Sequence, residues 1–356
     1  MRCPTLTELP PPPPGKTGWP WTEESRRVPE TTPDGRPWPR VSIVTPSYNQ
    51  ARFIEETLRS VLLQGYPDLE YIIIDGGSTD GSVEVIRRYE KWLTFWVSEP
   101  DRGQAHAINK GFSRATGEIV AWINSDDFYC REALHRASQF LMKNPEVGMV
   151  YGRGYYVNEY GKIWRLAATG PFDLSKVLCR DHEIVQPTAF MRRAAVQKAG
   201  MMDETLHYAI DDDLWIKIGA AYRVGFIPAG LACAREHSNA KTVAQAPEHM
   251  EEERLIRERY FSNNPDLSGS SKSRIFSRIF FWKAYGYFFS GQMRESRRWL
   301  RRSVAARPSW DSAGPAAYLF LKTLLGRRLV KRLRPMSRKI RGGRMNLSRF
   351  FRKGAR

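Results

Sequence analysis

Acidic residues are missing from the end of this 356-residue chain: residues 312–356 hold fourteen Lys or Arg and no Asp or Glu. The formal net charge is +18, so residues 1–311 carry only +4. The excess belongs to a tail, and the body is nearly balanced. Paired cysteines are missing too. Cys3, Cys130, Cys179 and Cys233 are scattered, with no CxxC. That spacing gives neither a zinc knuckle nor a disulfide framework, and a reducing compartment fits. No apolar run approaches the ~20 residues that span a bilayer. The opening "MRCPTLTELPPPPPGKTGWP" lacks the apolar h-region of a signal peptide, and Pro10–Pro14 reads as a polyproline II leader. Neither GxxxxGK[ST] nor GxGxxG occurs, so P-loop and dinucleotide-binding readings have no support.

What is present is a repeating pattern. With 42% hydrophobic and 12% aromatic residues, the chain can bury a sizeable core. "RVSIVTPSYN" is an apolar strand, and "ARFIEETLRSVLLQ" places Ile54, Leu58, Val61 and Leu62 at helical spacing. "LEYIIIDGGSTDGS" is a second strand and "SVEVIRRYEKWL" a helix. "TFWVSEPDRG" is a third strand, "QAHAINKGFSRAT" a helix, and "GEIVAWINSDD" a fourth strand. Unbroken apolar strands alternating with helices predict a parallel sheet covered on both faces. Such sheets bind ligands outside the carboxyl ends of their strands. Each predicted strand ends in polar residues: Ser47-Tyr48-Asn49; Asp75 with Ser78 and Asp80; Glu99 with Asp101 and Arg102; and Asn124 to Asp127. Four polar clusters converging on one edge make a binding site.

Adjacent carboxylates at the end of a buried strand need compensation. A hard divalent cation takes oxygen ligands, so Asp126 and Asp127 suit one, and the cation would in turn bind phosphates. The residue types therefore suggest a nucleoside diphosphate held through a metal, with base and ribose gripped by the earlier strand ends.

Residues 41–129 resemble the catalytic domain of inverting family 2 glycosyltransferases, which have the GT-A fold. That is an α/β fold with a mixed, mostly parallel sheet and helices on both faces. The resemblance is carried by "VSIVTPSYNQARFIEETLRSVL", "IIIDGGSTDGS" and "SEPDRGQAHAINKGFSRATGEIVAWINSDD". It implies that Tyr48 stacks on the base, that Asp75 contacts base or ribose, that Asp126 contacts ribose or metal, and that Asp127 holds the metal, Mn or Mg. Pro46, Asn49, Arg102 and Asn109 complete the implied donor side. Three positions depart from the pattern. Asp75-Gly76-Gly77-Ser78 stands where many relatives read DDGS, which leaves the nucleobase open. Asn124 replaces a first Asp of the DxD-type motif, and His106 stands where several relatives carry Asp.

The second half implies the acceptor side. "VGMVYGRGYYVNEYGKIWR" alternates and turns at Glu159-Tyr160-Gly161, which predicts a hairpin. Gln186 and Pro187 resemble the acceptor-loop element of the family, and the acidic run before "DLW" resembles its base motif. Inverting transfer needs a base for the acceptor hydroxyl. Asp211 matches that position. Asp213 fits the motif as well, with capping and orienting the helix of Trp215 as an equal alternative; Trp215 is expected on the acceptor side. "REHSNAKT" (235–242) resembles the family's R-x-H motif, which would put His237 on the metal and Arg235 and Lys241 at the leaving diphosphate.

The expected organisation is a Pro-rich leader at 1–39, a GT-A domain at 40–265, a tetratricopeptide-like helical hairpin at 274–325 and a basic tail at 326–356. "SGSSKS" (268–273) reads as a linker. Phe280, Ala284, Tyr287, Ser296, Leu300, Ser303 and Pro308 fit one tetratricopeptide repeat, too few to form a core alone. The tail interleaves Leu, Ile and Phe with its cations. That suits an anionic membrane surface, at the cytoplasmic face of the cell membrane, and a solvated end is the alternative. Nucleic acid is disfavoured, since no base-stacking fold or helix-turn-helix accompanies the tail. The expected activity is metal-dependent, inverting transfer of a hexosyl group from a nucleoside-diphosphate sugar to a glycan or lipid-linked glycan. A nucleotidyltransferase on the same fold and a non-catalytic adaptor are the alternatives.

Overall fold

The computed structural model describes residues 1–236, 246–264, 269–309 and 313–324. The chain divides into two compact units, Met1–Val177 with Asp181–Ala240, and Leu178–Arg180 with Lys241–Arg356.

The first unit is built on one mixed, nine-stranded sheet. β1 (Val41–Ser47), β2 (Leu69–Asp75), β3 (Phe95–Ser98) and β4 (Ile119–Trp122) are parallel, in the order β3-β2-β1-β4. Every residue of β1, β2 and β4 is buried, which is why these segments read as unbroken apolar runs. α1 (Ile54–Leu62), α2 (Ser82–Arg88) and α3 (Gln104–Arg114) connect them as the periodicity predicts. Ile54, Leu58, Val61 and Leu62 are all fully buried in the sheet-covering core. α3 presses so closely on β1 that a Cβ on Gly111 would stand 2.4 Å from Val44 Cγ1.

Beyond β4 the sheet is mixed. β5 (Phe128–Tyr129), α4 (Ala133–Lys143), β6 (Val147–Val157), β7 (Ile163–Leu166), α5 (Leu174–Leu178), β8 (Phe190–Arg192), α6 (Arg193–Lys198), α7 (Ile210–Ala221) and β9 (Arg223–Arg235) follow in chain order. The order β4-β8-β6-β9-β5 completes the sheet, with β7 on β6 alone. β4 with β8, β8 with β6 and β9 with β5 pair antiparallel, whereas β6 and β9 pair parallel. The predicted hairpin is β6–β7, closed by Gly161 N–H to Asn158 O (2.9 Å) and Asn158 N–H to Lys162 O (3.0 Å).

The Pro-rich leader is not a separate arm. Cys3, Leu9, Trp21 and Trp38 are buried in the first unit. The anchor is Arg59 on α1, which is fully buried. Its guanidinium donates to Pro10 O (2.8 Å), Pro20 O (3.1 Å) and Trp21 O (3.0 Å), and to Tyr89 Oη (3.1 Å). Three of the leader's backbone carbonyls are thus satisfied by one cation.

The second unit is helical: α8 (Ala246–Asn263), α9 (Gly269–Phe289), α10 (Met293–Ala306) and α11 (313–324). α9 and α10 pack against each other. Ala284, Ser296, Leu300 and Ser303 are all buried, and the serines bind across the interface. Ser277 Oγ donates to Ser303 O (2.8 Å), Ser303 Oγ to Ser277 O (2.7 Å) and Ser296 Oγ to Ala284 O (2.8 Å). Two boundaries differ from expectation. The units part at residue 240/241, so α8 belongs to the helical unit. The expected linker is helix from Gly269 onward, and residue 268 lies outside the described residues. The basic tail, 326–356, also lies outside them. Among the described residues, no helix is long and apolar enough to cross a membrane.

Arg59→Ala would strand several buried carbonyls. It should lower stability by about 3 kcal/mol, since each unsatisfied buried acceptor costs about 1–3 kcal/mol. Limited proteolysis should then cut within residues 1–39 before the sheet opens. An unchanged denaturation midpoint would show that the leader is not anchored this way.

Candidate functional site

The loops after β1 and β2 are laced together. Asn49, at φ 53°, donates its backbone N–H to Ser78 Oγ (2.8 Å) and accepts the Thr79 N–H on Oδ1 (2.9 Å). Gln50 N–H reaches Ser82 Oγ (2.9 Å) and Ala51 N–H reaches Asp80 Oδ2 (2.9 Å). Asn49, expected on the donor, is therefore a clamp between the two loops. Asp75 is fully buried. Its carboxylate accepts from Gly77 N (3.1 Å), Ser78 N (2.8 Å), Ser78 Oγ (2.6 Å) and Ser98 Oγ (2.7 Å). The carboxylate expected to meet base or ribose shapes the turn through these bonds. Pro46 likewise is a buried residue of β1, in register with Ile74, and cannot reach a ligand by its ring.

Tyr48 does face outward, with 62% of its surface exposed. A Cβ on Gly76 would lie 2.7 Å from Asp101 Oδ2 and 3.4 Å from the Tyr48 ring. Only glycine lets the turn pass between that ring and that carboxylate. The result is an exposed aromatic face beside an acidic group. Asp101, absent from the expected site residues, is signalled in sequence only by its place in the β3-end cluster.

At the start of α3, Arg102 is exposed and paired with Glu204 at 2.6 Å. Asn109 Nδ2 donates to Met202 O (3.0 Å) and Glu204 Oε1 (3.1 Å), and its Oδ1 accepts from Met202 N (3.0 Å). The amide of Asn109 thus docks the 202–204 segment rather than pointing at a ligand. His106 Nδ1 accepts the Arg102 N–H (3.3 Å) at the helix start. Glu204 has no local sequence signal; its partners lie 102 and 95 positions away.

The acidic loop sits between β4 and β5. Asp127 is 5% exposed. Oδ1 accepts the Arg235 backbone N–H (2.7 Å), and Oδ2 faces Asn124 Nδ2 at 3.4 Å. Asn124 Oδ1 accepts from Gln104 Nε2 (2.7 Å), and Thr57 Oγ1 donates to Asp127 O (2.6 Å). Burial, and then the adjacent Asp126 charge, push the Asp127 carboxyl well above the usual carboxylate range, with Arg235 offsetting part of the rise. The Arg235 charge nearby therefore compensates the two carboxylates only in part. Two carboxylates offering only oxygen donors fit a hard divalent cation, and Asp126 and Asp127 are the residues that would hold it.

Arg235, implied by the R-x-H pattern to lie at the leaving diphosphate, is buried among internal acceptors. Its side chain is 1% exposed. Nε donates to Asp126 O (2.8 Å), one terminal nitrogen to Asn158 O (3.1 Å) and Glu159 O (3.2 Å), and the other to Glu56 Oε2 (2.8 Å). The guanidinium also lies over the Phe53 and Phe128 rings. Its donors bind acceptors within the protein, and through them it organises the acidic loop. His237 and Lys241 lie outside the described residues.

On the expected acceptor side, Asp211, Asp212 and Asp213 occupy the first turn of α7, where the helix dipole favours negative charge. None is the N-cap, which is Ala209. Asp213 is buried and ion-paired with Lys217 one turn on, whereas Asp211 is partly exposed. Trp215 is fully buried and stacks on Trp122 at 5.3 Å. It packs in the core against the end of β4. Gln186 Nε2 donates to Trp122 O (2.9 Å). Both therefore dock the second half onto the end of β4, four residues before Asp126.

Comparison with known proteins matches residues 42–200 to Glycosyl transferase family 2. TuaG of Bacillus subtilis, a glycosyltransferase ascribed to teichuronic acid biosynthesis, is 41% identical over 108 residues. That match spans 30% of this chain and 43% of TuaG. An uncharacterized glycosyltransferase of Mycobacterium tuberculosis is 29% identical over 50% of this chain and 68% of its own length. Among solved structures, Staphylococcus aureus TarS 1–349 in complex with UDP-GlcNAc aligns with a TM-score of 0.60 at 20% identity, covering 75% of this chain and 81% of that one. The mannosyltransferase PcManGT of Pyrobaculum calidifontis, in complex with GDP-Man and Mn2+, aligns at 0.55 and 22% identity, covering 85% of each chain. At such identities the structural likeness speaks for the fold.

The raised Asp127 pKa has a consequence for stability. Between the ordinary value of 3.8 and the raised one, the folded protein holds a proton that the unfolded chain has released. Stability therefore falls as pH rises through that window, and the penalty is complete above it. Metal-free Asp127→Asn should melt at a higher temperature than the parent at neutral pH, with the gap closing below pH 3.8. A variant that melts no higher at neutral pH would mean that the carboxylate is already compensated.

Proposed function

We propose that this chain, a glycosyltransferase of family 2, moves a hexosyl group from a nucleoside diphosphate to a hydroxyl, inverting the anomeric carbon and depending on a divalent metal. The carrying observation is the buried, under-compensated Asp127 beside Asp126 at the carboxyl end of β4. The exposed Tyr48 ring beside Asp101 supports a nucleobase platform at the end of β1. Bound between them, a nucleoside diphosphate would lay its base on Tyr48 and its phosphates toward the aspartates.

Each residue then has a task. Tyr48 offers its face to the base. Asp75, Asn49 and Gly76 hold the turn that leaves that face open. Asp127 and Asp126 would hold the cation, which would supply positive charge to offset that of the leaving diphosphate. Asp211 takes the proton of the acceptor hydroxyl as the oxygen attacks the anomeric carbon. The bond from that carbon to the phosphate oxygen breaks, and the electron pair leaves with the nucleoside diphosphate. Asp213 keeps the first turn of α7 in place through Lys217. Arg102 lies at the donor's edge, its orientation fixed by Glu204. The ascription of TuaG to teichuronic acid biosynthesis supports a bacterial surface glycan as the acceptor class. The donor sugars bound by TarS and PcManGT support testing uridine and guanosine diphosphate sugars first.

A thermal-shift screen of those sugars with Mn2+ or Mg2+ identifies the donor. A hundredfold excess over Kd stabilises by about 2.7 kcal/mol. With the donor in hand, Asp127→Asn and EDTA should each abolish transfer. Undiminished turnover in either case overturns metal dependence. Asp211→Asn should bind donor normally yet turn over ~10²–10⁴-fold more slowly, the usual contribution of a general base. If Asp213→Asn is the slow variant and Asp211→Asn is not, the base is the other carboxylate.

A further inference from the structure

Nine large apolar side chains are exposed among the described residues, and four lie within seven positions of one hairpin. They are Tyr160 (78%), Ile163 (55%), Trp164 (44%) and Leu166 (51%). The hairpin is β6–β7, and β7 is an edge strand paired with β6 alone. Ile163 and Trp164 are consecutive, so they point to opposite faces of the ribbon, while Tyr160 caps its tip. Two cations belong to the hairpin, Lys162 beside the tip and Arg153 on β6 beyond the last β6–β7 pair, Tyr155 with Leu166. Arg153 and Lys162 are exposed and have no ion pair among the described residues, while the one hairpin carboxylate, Glu159, is neutralised by Arg52 at 2.8 Å. Arg165 is internal to the fold, bidentate on Glu183.

We propose that this hairpin tip is a membrane-insertion element that dips into the interface of an anionic bilayer. Apolar groups on both faces and at the tip suit a medium that surrounds the ribbon. A sugar platform would need one flat aromatic face, and Ile163 and Leu166 offer none. Tyr and Trp favour the headgroup level of a bilayer, and unpaired cations favour an anionic one. The element is coupled to the acidic loop. The Arg235 guanidinium that binds Asn158 O and Glu159 O in the turn also binds Asp126 O. A docked hairpin would therefore hold Asp126 at a fixed height above the bilayer, where an acceptor carried on a lipid presents its hydroxyl. This last step rests on the transferase reading; the membrane contact itself does not.

The test uses the full chain with vesicles of phosphatidylglycerol and phosphatidylcholine, against phosphatidylcholine alone. Pelleting needs neither donor nor metal, so it is separable from the activity. Parent protein should pellet with the anionic vesicles, and part of that binding should survive ~0.5 M salt, which screens purely ionic attachment by the basic tail. The triple variant Tyr160→Ser, Ile163→Ser, Trp164→Ser should lose the salt-resistant fraction about tenfold, because apolar insertion is what salt leaves intact. Its melting temperature and donor-induced thermal shift should match the parent, since all three side chains are exposed. Lys162→Glu should weaken pelleting at low salt. The proposal is overturned if the triple variant pellets like the parent at both salts, or if the parent does not pellet. It is equally overturned if the variant pellets normally but loses transfer to a water-soluble glycan, which would make the hairpin a sugar platform.

Discussion

The geometry of the acidic loop depends on Arg235. Its backbone N–H holds Asp127, its Nε holds the Asp126 carbonyl, and its terminal nitrogens reach the β6–β7 turn and Glu56 on α1. One fully desolvated cation thus joins β9, the acidic loop, the hairpin and the first helix. Such a charge is tolerable only because its donors have acceptors and Glu56 supplies the opposite sign. Removing it would leave Glu56 and several carbonyls unsatisfied at once. The arrangement also explains why the cation does not neutralise Asp127. The guanidinium donates to carbonyls and Glu56, and the Asp127 carboxylate receives the Arg235 backbone N–H and a longer contact from Asn124 Nδ2.

Much of the first sheet half was legible in the sequence because its signals are local. Seven consecutive buried residues in β1 and in β2 must read as apolar runs, and polar residues must follow where those strands leave the core. The helix α1 follows from four apolar residues at helical spacing. The acidic loop was legible for the same reason, as two carboxylates abutting an apolar strand. Roles that depend on distant partners were not. Arg235 finds acceptors 76, 77, 109 and 179 positions away, and nothing in "REH" encodes them. Asn109 and Arg102 meet Glu204 across some hundred residues. Trp215 follows an acidic run, which suggests a ligand contact, but two indoles gain more by stacking with each other inside the core.

The leader shows a different limit. Proline-rich composition describes what a segment cannot do by itself, since it lacks N–H donors for a sheet. It does not say whether another element supplies donors to its carbonyls. Arg59 on α1 does so, and the segment becomes part of the domain. An arginine on an amphipathic helix ordinarily reads as surface, so this inversion is invisible without the fold.

Asp127 is the point where stability and chemistry pull apart. The residues around it make good conventional contacts: Asn124 with Gln104, Thr57 with the Asp127 carbonyl, Arg235 with four acceptors. The carboxylate itself receives one strong backbone hydrogen bond and faces a second carboxylate. A sequence selected only for folding would place an amide there. Violations of local consistency that the surroundings hold rigidly are expected at functional positions. The rigidity matters as much as the charge. A carboxylate free to swing outward would relieve its own desolvation and cease to select for a cation. Held at both ends by Arg235 and Thr57, the loop cannot relax that way, so the unmet charge persists as affinity for whatever positive group arrives with the substrate.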